Sequence, residues 1–162
     1  MRYFSMKKRL MIEYMKADLS HVDEMQALVE PCVEDGTILV RSADEIATNI
    51  RSYTLAFSNK SLIGFTALHI HTVNLAEIRS LIIHEDFRGQ GVGRKLVSLA
   101  LNEGSKLGLK EVLVLTYKQS FFEKLGFSEI PKESLPEHKI WADCIKCKLF
   151  PLCNEVSLIK KY

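Results

Sequence analysis

Arg88, Gly89, Gln90, Gly91, Val92, Gly93 and Arg94 are the residues of this chain best suited by type and spacing to hold a ligand. They follow an apolar run, Leu81, Ile82 and Ile83, across a short acidic loop, and they precede an amphipathic segment containing Leu96, Leu99 and Ala100. The pattern reads strand, glycine loop, helix. Glycine lets backbone approach a ligand without Cβ obstruction, and the first N–H groups of a helix have no partner within it. Together these features bind anionic groups. A Walker loop would place Lys and Ser or Thr after its last glycine, whereas Gly93 is followed by Arg94, Lys95 and Leu96. A dinucleotide fingerprint counted from Gly89 and Gly91 would need glycine where Arg94 stands. What remains is Arg-x-x-Gly-x-Gly behind a buried strand.

A second cluster lies near the C-terminus, where WADCIKCKLFPLC places Cys144, Cys147 and Cys153 at C-x2-C-x5-C spacing. A two-residue turn lets two thiolates face one ion, and a structural zinc site would draw its fourth ligand from His138, Asp143 or Cys32. Reduced, partly buried thiols are the alternative. Disulfides are less expected, because the N-terminal MRYFSMKKRLMIEYM has basic residues but too short an apolar run for a signal peptide.

Composition narrows the classes. With 162 residues, 47% hydrophobic and 26% charged, the chain fits one domain, residues 1–162, with a sizeable core. Within it, residues 1–10 read as an N-terminal extension and 131–162 as a tail holding the cysteines and a last strand. A net charge of +2 supplies no field for nucleic acid or a membrane surface. No stretch approaches the roughly 18 apolar residues of a membrane span. The expectation is a soluble, cytoplasmic protein with small-molecule partners, and a homodimer is left open.

Periodicity then supplies the elements that must position these residues. A strand is expected over 11–15, followed by a helix capped by Asp18 or Ser20 with Val22, Met25, Leu28 and Val29 on one face. Pro31 is expected to disturb that helix. Ser42 with Glu45 reads as a capping box opening a second short helix that buries Ile46 and Ile50. Strands follow over 53–57, 62–70 and 75–83, joined as two hairpins. The strongest helix covers 92–107 and stops at Gly108. Residues 111–116, with Val-Leu-Val-Leu, read as an interior strand, 119–125 as a short helix stopped by Gly126, and 155–160 as the last strand. The order implies an α+β fold with a mixed, mostly antiparallel sheet flanked by helices.

The glycine loop and this element order, from about 11 to 130, resemble the GNAT acyl-CoA N-acyltransferases. That resemblance implies acetyl-CoA as donor, with Arg88 to Arg94 holding the pyrophosphate and the backbone of Leu81, Ile82 and Ile83 pairing with the pantetheine arm. FFEKLGF resembles the family's Tyr-x-x-x-Gly-Phe segment, but Phe122 stands in the place of the tyrosine that protonates the departing thiolate in many members. Tyr117 or water would then do so. Acetyl transfer needs a neutral amine, an oxyanion donor and a leaving thiolate. EIRSLII resembles the strand that carries the general-base glutamate of the histone acetyltransferases of this superfamily, and Glu77 takes that place. Strand alternation puts Glu77 and Arg79 on the same face as Leu81. His69 and His71 share a face of the preceding strand and are reserve bases.

EDGTILVRS, LAEIRSL, VLVLTYKQSFFEKLGF and LPEHKIWADC together resemble the short, single-domain N-acetylglutamate synthases of bacterial arginine biosynthesis, over about 12 to 159. This implies L-glutamate as acceptor, with Arg41, Lys139 and Ser42 as substrate-binding positions; Arg79 joins them as a cation not used on coenzyme A. Arginine fits a carboxylate in bidentate fashion, and lysine offers a point charge. Longer relatives carry an arginine-binding kinase-like domain, which is not expected in 162 residues. Two alternatives stand beside glutamate: another amino acid or amine as acceptor, and a non-catalytic acyl-CoA sensor, which the Phe122 departure favours.

Overall fold

The structure is a computed structural model that describes residues 11–34, 41–135 and 155–162. Its centre is a seven-stranded sheet in the order β1-β2-β3-β4-β5-β7-β6. The strands are β1 (Ile12–Lys16), β2 (Tyr53–Ser58), β3 (Ser61–Ile70), β4 (Leu75–Ile83), β5 (Glu111–Thr116), β6 (Ser128–Ile130) and β7 (Val156–Lys161). Among them only β4 and β5 pair in parallel. The helices α1 (Val22–Glu34) and α2 (Ala43–Thr48) cover one face, and α3 (Val92–Leu107) and α4 (Gln119–Glu123) the other. This is the expected α+β GNAT fold, with a mixed and mostly antiparallel sheet flanked by helices.

Local chemistry explains the element boundaries. The Asp18 side chain accepts from Ser20 N and caps a single turn, Leu19–His21, that leads into α1. α1 runs through Pro31. Only three residues follow that proline, so one missing backbone hydrogen bond near the end is outweighed by Val22 and Met25 packing against the sheet. Ser42 is the N-cap of α2, its Oγ accepting from Glu45 N at 3.1 Å. Asn59 and Lys60, with φ of 47° and 64°, close the β2–β3 hairpin as a two-residue turn. Gly108, at φ 85°, ends α3.

Two clusters on the α3 side and one on the α1–α2 side form the core. Leu68, Ala76, Ile78, Val112, Val114 and Leu158 meet Val97 and Ala100 of α3. Leu55, Phe65, Ala67 and Ile82 meet Met25 and Ile46. Gly64 lies where the backbones come closest: a Cβ there would stand 2.8 Å from the Ile82 carbonyl oxygen and 2.9 Å from Ile83 Cδ1. A backbone oxygen cannot swing aside, so Gly64→Ala is expected to cost about 1–3 kcal/mol. At about 2–4 °C per kcal/mol, a thermal melt reads this directly. An unchanged melting temperature would show that β3 and β4 separate more easily than the packing implies.

Strand β4 is not regular. Phe65 pairs with Ile82 but Ala67 pairs with Arg79, so Thr66 faces two residues, Ser80 and Leu81. Ser80 takes φ 56°, the left-handed value of a bulged residue. The Thr66 hydroxyl, fully buried, donates to the Arg79 carbonyl at 3.3 Å. The bulge corrects the expectation that Leu81 shares a face with Glu77 and Arg79. One extra residue reverses the alternation, so Leu81 and Ile83 pack on the α3 side while Glu77 and Arg79 share the α1–α2 side with Ala67.

Candidate active site

The pairing of β4 with β5 stops at Glu77 and Leu113. Beyond that rung the strands diverge and open a cleft of about 380 Å³ between Ile78–Ile83 of β4 and residues 114–118. Backbone along this side of β4 has no β5 partner, which leaves a strand edge suited to an extended ligand arm. The bulged Ser80 lines the same space. A bulge leaves its extra residue outside the regular ladder.

At the mouth of the cleft the glycine loop enters α3. Gly89 and Gly91 take φ of 77° and 82°, and Gly91 is the N-cap with no side-chain capping bond. A Cβ on either would meet no atom within 4 Å, so their glycines answer to backbone conformation and to approach, not to internal packing. Lys95 N bonds Gly91 O, which leaves the amides of Val92, Gly93 and Arg94 as the unpaired first turn of a 16-residue helix. Arg88 Nε donates to the Ile83 carbonyl at 3.2 Å and ties the loop to the end of β4. Arg88, Arg94 and Lys118 line the cleft and give it positive charge.

Two loop residues behave differently from the rest. Val92 is 1% exposed in the core, so only its backbone faces the cleft. Gln90 is not among the lining residues; its Nε2 donates to the Asp86 carbonyl at 3.3 Å and braces the loop. Tyr117, 46% exposed, lies on the cleft lining just beyond β5. Phe122 also reaches the lining, yet its ring is buried edge-to-face against Phe121 and Phe127. Phenylalanine there completes an aromatic core that a hydroxyl would interrupt.

On the α1–α2 face, Tyr53, Ala67 and Arg79 stand in one cross-strand row over β2, β3 and β4. Burial raises the Tyr53 phenol above its usual range, while the nearby Arg41 and Arg79 guanidiniums pull it down and Glu45 pushes it up. The phenol therefore stays protonated at neutral pH. Arg41 Nη1 lies 3.8 Å from Glu45 Oε2. One rung on, Glu77 pairs with His69 across the strands. Its side chain is 2% exposed, and Oε1 lies 2.8 Å from His71 Nε2. Two of the acceptor positions expected from sequence, Arg41 and Arg79, thus both act electrostatically on Tyr53, which shares with Arg79 the face that carries Glu77. Ser42 lies beside them with its hydroxyl engaged in capping α2.

Tyr53 was missed in the sequence, where it reads as an ordinary first residue of a strand; only pairing brings it between two arginines. The positions Lys139, Cys144, Cys147 and Cys153 lie outside the described residues. Among the described residues no three His, Cys, Asp or Glu side chains are arranged to hold a metal ion, and no helix is long and apolar enough to cross a membrane.

Comparison with known proteins adds the family. The model of the acetyltransferase (GNAT) family matches residues 14–127. An uncharacterized N-acetyltransferase of Chlorobaculum tepidum is 39% identical over 144 residues, 89% of this chain and 92% of that protein. The amino-acid acetyltransferase of Aeromonas salmonicida is 27% identical over 74% of this chain but 28% of its own length. N-acetylglutamate synthase from Neisseria gonorrhoeae, complexed with coenzyme A and N-acetyl-glutamate, superimposes with a TM-score of 0.82 at 20% identity, over 95% of this chain and 36% of that one. At that identity the likeness is one of fold. A bulged strand splayed from its parallel neighbour, a glycine-opened helix and the matched family model lead to one conclusion: this chain belongs to the acetyltransferase (GNAT) family and is an acetyl-CoA-dependent acyltransferase.

Proposed function

We propose that the chain moves the acetyl group of acetyl-CoA to the α-amino group of an acidic amino acid, with L-glutamate as the first candidate. The observation that carries this reading is that Arg79 shares a cross-strand row with Tyr53 on the sheet face that holds Glu77, with the Arg41 guanidinium near enough to act on the same phenol. Two guanidiniums match two carboxylates, and a polyamine would be repelled. Arg79 also lines the cleft, so it borders both the donor and the acceptor sides. Lys139 would add a further contact to the acceptor. Support for the acceptor class comes from the similarity to the amino-acid acetyltransferase of Aeromonas salmonicida.

In this reading the amides of Val92, Gly93 and Arg94 hold the pyrophosphate, helped by Arg88, Gly89, Gln90 and Gly91. The cleft edge of Leu81, Ile82 and Ile83 pairs with the pantetheine arm. Glu77 takes a proton from the acceptor ammonium, directly or through water. The freed lone pair attacks the thioester carbon, forming the C–N bond, while backbone N–H at the bulge steadies the oxyanion. Collapse breaks the C–S bond, the amide nitrogen loses its second proton, and the thiolate is protonated by Tyr117 or water. The net products are the N-acetyl amino acid, coenzyme A thiol and one proton.

The test is thiol release from acetyl-CoA across a panel of amino acids and polyamines, with Arg41→Ala alongside. Turnover confined to glutamate or its nearest acidic analogues is expected. In Arg41→Ala, KM for the acceptor should rise by about 10- to 100-fold, the value of a charge-assisted hydrogen bond, with KM for acetyl-CoA unchanged. Turnover on polyamines and none on acidic amino acids would overturn the acceptor. Coenzyme binding without turnover on any amine would favour a sensor.

A further inference from the structure

The transfer scheme uses Glu77 but leaves unexplained why an imidazole is buried against it. His71 follows the last residue of β3, and its side chain is 3% exposed. Its Nε2 lies 2.8 Å from Glu77 Oε1. The His69 ring stands edge-on to the His71 ring at a centroid distance of 4.8 Å, and His69 is the cross-strand partner of Glu77. His71 is also fixed from the backbone, where its N–H donates to the Leu75 carbonyl at 2.9 Å across the hairpin. The Glu77 carboxylate and the His71 imidazole are thus both buried on this sheet face, with the half-buried His69 ring beside them. Apolar side chains would fill that space at no desolvation cost, and a lone buried carboxylate is costly unless hydrogen-bonded. A carboxylate that must accept a proton at one place also needs a single orientation, which a fixed neighbouring donor supplies.

We infer that His71 is a positioning residue for Glu77, its Nε2–H donating to Oε1 and holding the carboxylate in the one orientation from which it deprotonates the acceptor amine. The inference rests on Glu77 acting as the base. With Nε2 as the donor, Nδ1 of a neutral His71 is an acceptor. Among the described residues, the other ionisable groups on this face include His69 on β3, Arg79 on β4, Tyr53 on β2 with Arg41 and Glu45 beside it, Glu13 on β1, Glu111 on β5, and Lys161 on β7 opposite Glu111. Donation to the ionised carboxylate favours that form, so removing the donor moves the proton affinity of Glu77 upward.

The experiment compares His71→Leu, which removes the donor, with His71→Gln, whose amide nitrogen reaches the place of Nε2, and His71→Asn, which falls short of it. In His71→Leu, kcat is expected to fall by about 10- to 100-fold, the usual worth of a hydrogen bond to a charged group, with KM for acetyl-CoA unchanged. The acid limb of the kcat profile should move to higher pH. His71→Gln should recover most of kcat and return the limb toward its original position, and His71→Asn should not. Glu77→Gln is measured in parallel, and adding His71→Leu to it should cost nothing further, since residues acting as a unit are not additive. If His71→Leu does not fold, the Gln and Asn variants alone decide, and equal kcat in the two would overturn the inference. So would a folded His71→Leu with the original kcat and acid limb beside an impaired Glu77→Gln. An unimpaired Glu77→Gln would instead remove the base on which the inference rests.

Discussion

Replacing Glu77 by glutamine is expected to lower kcat by about 100- to 10,000-fold, the range that general-base catalysis contributes, while the protein stays folded. The substitution keeps volume and shape at a side chain that is 2% exposed, and the amide oxygen can still accept from His71 Nε2 at the position now 2.8 Å away. What it removes is the ability to take a proton. It also removes the burden of holding a carboxylate out of water, so stability should be unchanged or higher, and activity and stability part company. Steady-state kinetics across pH with a thermal melt read both quantities. The acid limb of the kcat profile should vanish with the carboxylate. An unaltered kcat and acid limb would exclude Glu77 as the base and direct attention to a water-borne proton path.

The second large effect is expected at the head of α3. Gly91→Val places a β-branched side chain at φ 82°, a conformation that costs an ordinary L-residue about 1–2 kcal/mol and a branched one more. Nothing lies within 4 Å of the new Cβ, so the protein has no packing reason to unfold. Relief of the strain turns the loop and redirects the first-turn amides of Val92, Gly93 and Arg94. A shift of that free energy corresponds to about 5- to 30-fold, so KM for acetyl-CoA should rise at least that far, with KM for the acceptor little affected. Equilibrium binding of coenzyme A by calorimetry gives the same information without turnover. If affinity for coenzyme A is unchanged, the pyrophosphate is held elsewhere along the cleft.

Glu77→Gln and Gly91→Val act on parts of the molecule that were legible in the sequence to different degrees. The glycine loop was readable because its conformation lies in local backbone: three glycines after an apolar strand and before an amphipathic helix open that helix with left-handed residues and no side-chain cap. The elements were readable for a similar reason. Periods of two and 3.6 residues, a serine cap at Ser42 and glycine stops at Gly108 and Gly126 are properties of short segments. How far α1 continues past Pro31 is not legible locally, because the cost of one lost backbone bond is local, whereas the packing of Val22 and Met25 that outweighs it is not.

The acceptor side shows where the sequence stops. Glu77 and Arg41 were identified by resemblance and Arg79 by its charge, but the face that Glu77 and Arg79 occupy depends on register. Strand alternation misplaced Leu81 because a single left-handed Ser80 inserts a residue opposite Thr66, and no periodicity in LAEIRSLII marks it. Tyr53 and His71 become part of the site only through pairing with strands 14 or more positions away in one case and across a hairpin in the other. The sequence by itself determined the family, the element order and the anion-binding loop, since each follows from interactions among neighbours along the chain. Tertiary structure alone decided the cleft opened by strands that part after Glu77 and Leu113, the row that sets Arg79 beside Tyr53 across Ala67, and the burial of Glu77 against His71. Those arrangements arise from long-range registers and a bulge, whose energies depend on partners that the local sequence does not name.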